Sequence, residues 1–189
     1  MIEFILGVFI YVKIKKKYKL LPCLKHWTMW LPLSFACFYI FLEITTWMRI
    51  DYFISYAYYI KTATLLSYVP LILKYQLYQN DREELFPSPM LWAGFCLWFG
   101  SVLNKLALKA NSNYMPVYPD LSYWTGYIKP GFVQEGIHIL GDAYSNLIPL
   151  CDIFDSGWKI YSLGDLICGL FIVVILYCSI KRLNEVKYQ

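Results

Sequence analysis

Asn111–Asp165, NSNYMPVYPDLSYWTGYIKPGFVQEGIHILGDAYSNLIPLCDIFDSGWKIYSLGD, separates two strongly apolar segments and holds six of the chain's ten glycines. A connection of about fifty residues is far longer than the usual link between elements, and such stretches are either functional or disordered. This one is rich in Tyr, Trp, Ile and Leu and has no low-complexity run, which argues against disorder. It implies an ordered cap or re-entrant element on one face of a membrane protein.

The totals agree with that setting. The 189 residues suit one domain, 1–189. Hydrophobic residues make up 59% and charged residues 16%, against roughly 45–50% and 25% in soluble domains. The mean hydropathy is +0.45. An aromatic share of 20% with eighteen Tyr suits interfacial belts at a bilayer. The net charge of +4 does not point to nucleic acid. Six of the seventeen basic residues fall between Lys13 and Lys25, beside an apolar helix, where they set orientation and meet anionic lipid heads.

Working outward from the cap, the pattern predicts five transmembrane helices at about 2–20, 27–47, 52–73, 90–108 and 161–180. The fold class is all-α, an integral membrane bundle with an ordered extracytoplasmic cap at 109–160. The first segment is the least certain to cross. Its apolar part, Met1–Val12, is shorter than the roughly 17–25 residues a span needs. It is not a cleavable signal peptide, because Glu3 precedes it and KIKKK follows. Either the helix continues towards Leu21 with snorkelling lysines or it is a half-inserted anchor. Pro70 is placed to kink the far end of the third segment. The lysine-rich stretch 13–25 has no acid and is assigned to the cytoplasm. Counting onward puts Asp51 outside, Arg82 inside, the long loop outside, and Lys181, Arg182 and Lys187 inside. Eleven of the seventeen basic residues then lie on the cytoplasmic side. The amino terminus is outside if the first segment crosses, and the carboxy terminus is cytoplasmic.

Ionisable residues inside spans are costly and usually face a partner in the bundle. Glu43 near the outer end of the second span and Lys61 in the third differ in depth by roughly 6–8 Å at the helical rise. They are predicted to pair, the alternative being a Lys61 that snorkels outward. Asn104 and Asp165 fall near the outer ends of the fourth and fifth spans. With Glu43, Lys61, Asn111 and His138 they form an expected polar cluster towards the outer leaflet. Ser162 is an N-cap candidate for the last helix, with Asp165 three residues on. If Val133–Asp142 is helical, His138 and Asp142 share one face and form a candidate acid–base or metal pair. The competing reading is a structural hydrogen bond, and no third ligand is spaced for a metal site. Cys151, Asp152 and His138 sketch a thiol hydrolase without any supporting flank. The catalytic candidates are therefore His138, Asp142, Asp152 and Asp165. The six cysteines contain no CxxC pair and read as small hydrophobes. Gly131, Gly136 and Gly141 read as turns. No cofactor motif is present.

N-x-x-Y-M-P-V (Asn111–Val117), a loop His (His138), L-I-P-L-C-D (Leu147–Asp152) and Y-S-L-G-D (Tyr161–Asp165) follow one another in that order. The chain resembles a family of small bacterial polytopic membrane proteins, common in Gram-positive lineages and known only as a domain of unknown function. The resemblance implies the helix order and a plasma-membrane location, and it brings no activity. Where that family tends to have Gly-Gly-Arg, this chain has Ser112, Asn113 and Tyr114, so a basic group for anion binding is missing there.

Three functions fit. One is a non-enzymatic accessory or subunit module whose outer cap binds a partner or lipid, the partner being a membrane protein or a second copy. Another is a membrane enzyme acting on a lipid or lipid-linked substrate at the outer leaflet. The third is a small transporter, although five spans without a repeat are few for alternating access.

Overall fold

The computed structural model describes residues 2–15, 18–48, 56–75 and 89–185. The connection with Arg49 and Asp51, the polar stretch around Arg82, and Lys187 lie outside these residues. The chain divides into two compact units, Met1–Ala93 with Phe171–Gln189, and Gly94–Leu170.

Three described helices are long and apolar enough to cross a membrane. They are α3 (Trp27–Trp47), α6 (Pro89–Ala110) and α8 (Leu163–Glu185). The other two expected spans are not matched. α1 (Ile2–Lys15) ends at the lysine run instead of continuing to Leu21, and a separate five-residue α2 (Leu20–Leu24) follows. The start of α2 is fastened by a contact from α8. The backbone of Lys19 leaves the helical ladder and bonds to Asn184 near the end of α8. Lys19 N donates to Asn184 Oδ1 at 2.9 Å, and Asn184 Nδ2 donates to Lys19 O at 3.3 Å. The third segment is broken into α4 (Ala57–Leu66) and α5 (Val69–Tyr75). Pro70 is the second residue of α5, where its missing N–H costs nothing and its ring prevents one continuous helix. The hydroxyl of Ser67 donates to Thr64 O at 2.6 Å at the break.

In the first unit α3 packs against α2, α4 and α5. Ile5, Val8 and Val12 form the buried stripe of α1, and Ile172, Ile175, Leu176 and Ile180 form that of α8. Tyr68 packs edge-on against Phe171, with ring centres 5.9 Å apart. Thr45, Thr64, Ser101 and Ser179 each donate to a carbonyl three or four residues earlier in the same helix. Hydroxyls in an apolar helix are usually satisfied in this way.

The second unit corrects the all-α expectation. Between α6 and α8 the chain forms a five-stranded sheet of order β2-β3-β1-β4-β5. The strands are β1 (Met115–Val117), β2 (Gln134–Glu135), β3 (His138–Leu140), β4 (Asp152–Asp155) and β5 (Ile160–Ser162). A short helix, α7 (Leu121–Trp124), follows β1. β1 is central and parallel to both β3 and β4, while β2 and β5 add antiparallel edges. Proline is unusual in a central strand, yet Pro116 fits here. Met115 N bonds to Ile137 O and Val117 O accepts from Gly141 N. The missing N–H of Pro116 therefore faces β4, whose ladder starts one residue later, at Val117 and Asp152.

α6 ends on an asparagine lock. Asn111 Nδ2 donates to Ala107 O and to Asn146 O, each at 2.8 Å, and Asn111 Oδ1 accepts from Asn146 N at 2.7 Å. Asn146 Nδ2 donates in turn to Ala110 O at 3.1 Å. Two of the carbonyls orphaned at the helix end are satisfied this way. The chain then turns through left-handed residues, Ser112 at φ 57° and Asn113 at φ 67°, where glycine is preferred. Ser112→Gly should therefore raise stability by about 0.5–1 kcal/mol. Thermal unfolding in detergent checks this, and an unchanged or lower midpoint would contradict it.

Candidate functional site

The register of the sheet assembles one face of the second unit. Met115 lies beside His138, Val117 beside Asp152, and Asp152 beside Ser162. Registered neighbours, and residues two apart along a strand, point to the same face. Met115, Val117, Asp152 and Ser162 are all buried, and His138 sits at the open end, exposed. His138 and Asp152 are on different strands with β1 between them, and their side chains meet across it. His138 Nε2 lies 3.6 Å from Asp152 Oδ2, an ion-pair distance slightly beyond a direct hydrogen bond. The Asp152 side chain is 8% exposed and that of His138 48%. A carboxylate this deep needs a partner, and it backs the half-exposed imidazole.

On the other side of Asp152 the polar row continues. Ser162 Oγ donates to Asn104 Oδ1 at 2.7 Å, and Asn104 Nδ2 donates to Asp165 Oδ1 at 3.0 Å. Asp165 N donates to Ser162 Oγ at 2.9 Å, which is the N-cap read in the sequence. The Asp165 carboxylate faces α6 through Asn104. Asn104, Ser162 and Asp165 thus close a ring of three hydrogen bonds between α6 and the first turn of α8. Glycines allow this approach. A methyl group on Gly100 would collide with Gly164 O and Cys168, and one on Gly164 would collide with Asn104 and Gly100 O.

The expected pairing of His138 with Asp142 is not formed. His138 is in an extended strand, so a residue four positions on has no helical face to share with it. Asp142 closes a turn instead, with Oδ1 accepting from Tyr144 N at 2.9 Å and Ser145 Oγ at 3.0 Å. Cys151 is fully buried, and its thiol is directed to Asn146 O and Leu147 O, 3.5 Å from each. Burial, followed by the neighbouring Asp152 charge, pushes its pKa up. A buried thiol with a raised pKa is a poor nucleophile, which counts against the thiol-hydrolase sketch. Asn111 belongs to the α6 lock, apart from the Asn104 ring in its bonding. Glu43 lies half-buried on α3 and Lys61 exposed on α4, two helices that pack together in the first unit. Among the described residues no group of three His, Cys, Asp or Glu is placed to hold a metal ion.

Sequence reasoning missed Asp155 and Asn146. Asp155 accepts from Asp120 N, Ser122 N, Ser122 Oγ and Gly157 N at 2.6–2.8 Å. It fastens α7 to the β4–β5 turn, where Thr125 also donates to Gly157 O. The signal was the Asp-Ser-Gly run at 155–157, an Asx-turn signature. Burial alone would raise the Asp155 carboxyl, but the bonds from Ser122, Gly157 and Asp120 outweigh it and hold the group below its ordinary value.

The chain belongs to a family of unknown function (DUF5317), whose family model matches residues 20–177. The match takes in α2 to most of α8 and every strand of the sheet. No curated protein matches the chain. No solved structure matches it either.

The depressed Asp155 value has a pH consequence. Its stabilisation is complete above the unfolded value near 3.8 and is lost as pH falls through the lower folded value. At neutral pH Asp155→Ala should cost about 2 kcal/mol, since a charged acceptor of several donors is removed. The gap between wild type and variant should narrow below about pH 4. Melting curves across pH check this, and a gap independent of pH would contradict it.

Proposed function

We propose that this is a multi-pass plasma-membrane protein of a bacterium, serving as a non-enzymatic accessory module that holds a membrane-protein partner through its extracytoplasmic cap. The observation that carries this reading is the apolar surface of the cap. Trp124 and Tyr144 are each 91% exposed, Val133 73% and Trp158 64%. Leu121, Ile137 and Leu147 are also open. Exposed aromatics on a folded scaffold are what a docking surface offers. The positions are held by structure. Trp124 ends α7 and Trp158 follows Gly157, the two elements that Asp155 ties together.

The membrane setting is supported by the helices. Only 17% of the apolar window of α6 is buried within the protein, against 44% for α8. Trp92, Phe95, Trp98 and Leu106 of α6 stay open, a surface that water would oppose and lipid accepts. Placing the basic stretch 13–25 and the tail inside puts the cap outside. That scheme requires α4 and α5 to cross as one broken helix between α3 and α6. Broken helices are tolerated in membranes where protein covers the break, and here Ser67 and Tyr68 are buried.

A second reading rests on the pair of His138 and Asp152. A half-exposed imidazole backed by a buried carboxylate has the form of a general acid–base group, which suits an enzyme acting on a lipid-linked substrate at the outer leaflet. The docking reading is preferred because several large apolar side chains of the cap are exposed together with Trp124 and Tyr144, whereas the acid–base reading rests on one pair.

Site-specific photocrosslinking from Leu121, which is exposed on α7 beside Trp124, tests the proposal in native membranes. It predicts one discrete adduct, lost in the variant Trp124→Ser/Trp158→Ser while the protein keeps its level and melting point. Absence of any adduct, or an adduct unchanged by the double substitution, would sink the docking reading. Loss of cellular function in a stable His138→Ala variant whose adduct persists would favour the enzyme.

A further inference from the structure

The tyrosines and lysines at the end of α1 form a site that the cap does not explain. Tyr11, Lys15, Tyr18 and Tyr177 line a cavity of about 230 Å³ with Val12 at its floor. The ring of Tyr177 makes edge contacts with Tyr11 at 5.9 Å and Tyr18 at 6.1 Å. Lys15 Nζ stands 5.9 Å from the centre of the Tyr11 ring. A second cavity of about 420 Å³ shares Tyr18 and is otherwise lined by Lys13, Leu20, Leu21 and Leu24. One compartment offers phenolic hydroxyls and an ammonium. The other is a leucine trough along α2, with Leu21 68% exposed.

The surroundings are cationic. Among the described residues, neither cavity is lined by an acid. On α8 one turn beyond Tyr177 stand Lys181 and Arg182, which share the single carboxylate of Glu185 at 4.0 and 3.8 Å. The height also fits. Tyr177 lies where the apolar run of α8 gives way to charge, the level at which headgroups meet a membrane helix.

We propose that this pair of compartments binds an anionic phospholipid, with the phosphate at Lys15 and the tyrosines and an acyl chain along Leu20, Leu21 and Leu24. Hydroxyl and ammonium donors match phosphate oxygens, and the adjoining leucines require a hydrocarbon that a free phosphate lacks. The site lies in the first unit and does not depend on what the cap does. By binding residues of α1, α2 and α8 together, the lipid brings under one ligand the segment that Asn184 already holds at Lys19.

The test uses the full chain in detergent micelles, with native mass spectrometry after adding phosphatidylglycerol, phosphatidylcholine of the same acyl chains, or inorganic phosphate. Phosphatidylglycerol should be retained about tenfold over phosphatidylcholine. Lys15→Gln should lower its retention about fivefold, the worth of one lysine near an anionic headgroup. Leu21→Asn, on an open face, should weaken the lipid while leaving inorganic phosphate unaffected. Lys15 and Leu21 are both exposed, so neither change threatens folding, and a melting curve on each variant confirms it. Equal retention of the two lipids would overturn the proposal. So would phosphatidylglycerol retention that ignores Lys15→Gln, or binding of phosphate alone.

Discussion

The second unit depends on the contact between Gly100 of α6 and Gly164 of α8. At that point neither residue has space for a side chain, and the ring of Asn104, Ser162 and Asp165 closes beside it. In lipid the hydrophobic effect gives helices no reason to associate, so close packing of small residues and hydrogen bonds between helices must supply the affinity. Here both devices occur within one helical turn of each other. The same contact sets the sheet. β5 runs directly into α8, so a serine placed to cap the helix also fixes the edge strand. Asp152 lies beside that serine in the β4–β5 pairing. From there the order of the strands carries the constraint out to His138.

That arrangement accounts for how a chain so apolar keeps polar groups in order. The ends of α6 and α8 are where backbone groups lose their helical partners. The asparagines at 111 and 146 satisfy one end and Ser162 satisfies the other. Asp155 performs a comparable task at the far corner, meeting three backbone N–H groups and one hydroxyl. The polar residues of the cap are therefore mostly occupied with structure. The exposed groups of the cap include its aromatic surface and the half-exposed ring of His138.

The long helices were legible because about twenty apolar residues in a row have few other destinies. The cap of α8 was legible as well, since serine followed three residues later by an acid is a local signature. The sheet was not, because strands of two to four residues are too short to show a period of two. Without it, spacing relates His138 to Asp142 only if the stretch is helical, and it does not find the partner Asp152, fourteen residues away. The break between α4 and α5 was half visible, in Pro70. The turn after α6 puts Ser112 and Asn113 in left-handed backbone. Ser112 and Asn113 adopt it at some cost, asparagine more readily than serine.

The clasp between α6 and α8 is the claim from which the rest follows, and a double-mutant cycle measures it most directly. Asn104→Ala, Ser162→Ala and the double variant would be unfolded in detergent, with the coupling taken from the three free-energy changes. Two groups that share a hydrogen bond in one ring should give a coupling of about 1 kcal/mol, with the double variant losing less than the two single losses together. Strictly additive losses would mean that the two residues do not interact, and the account of how the sheet is held to the helices would be wrong.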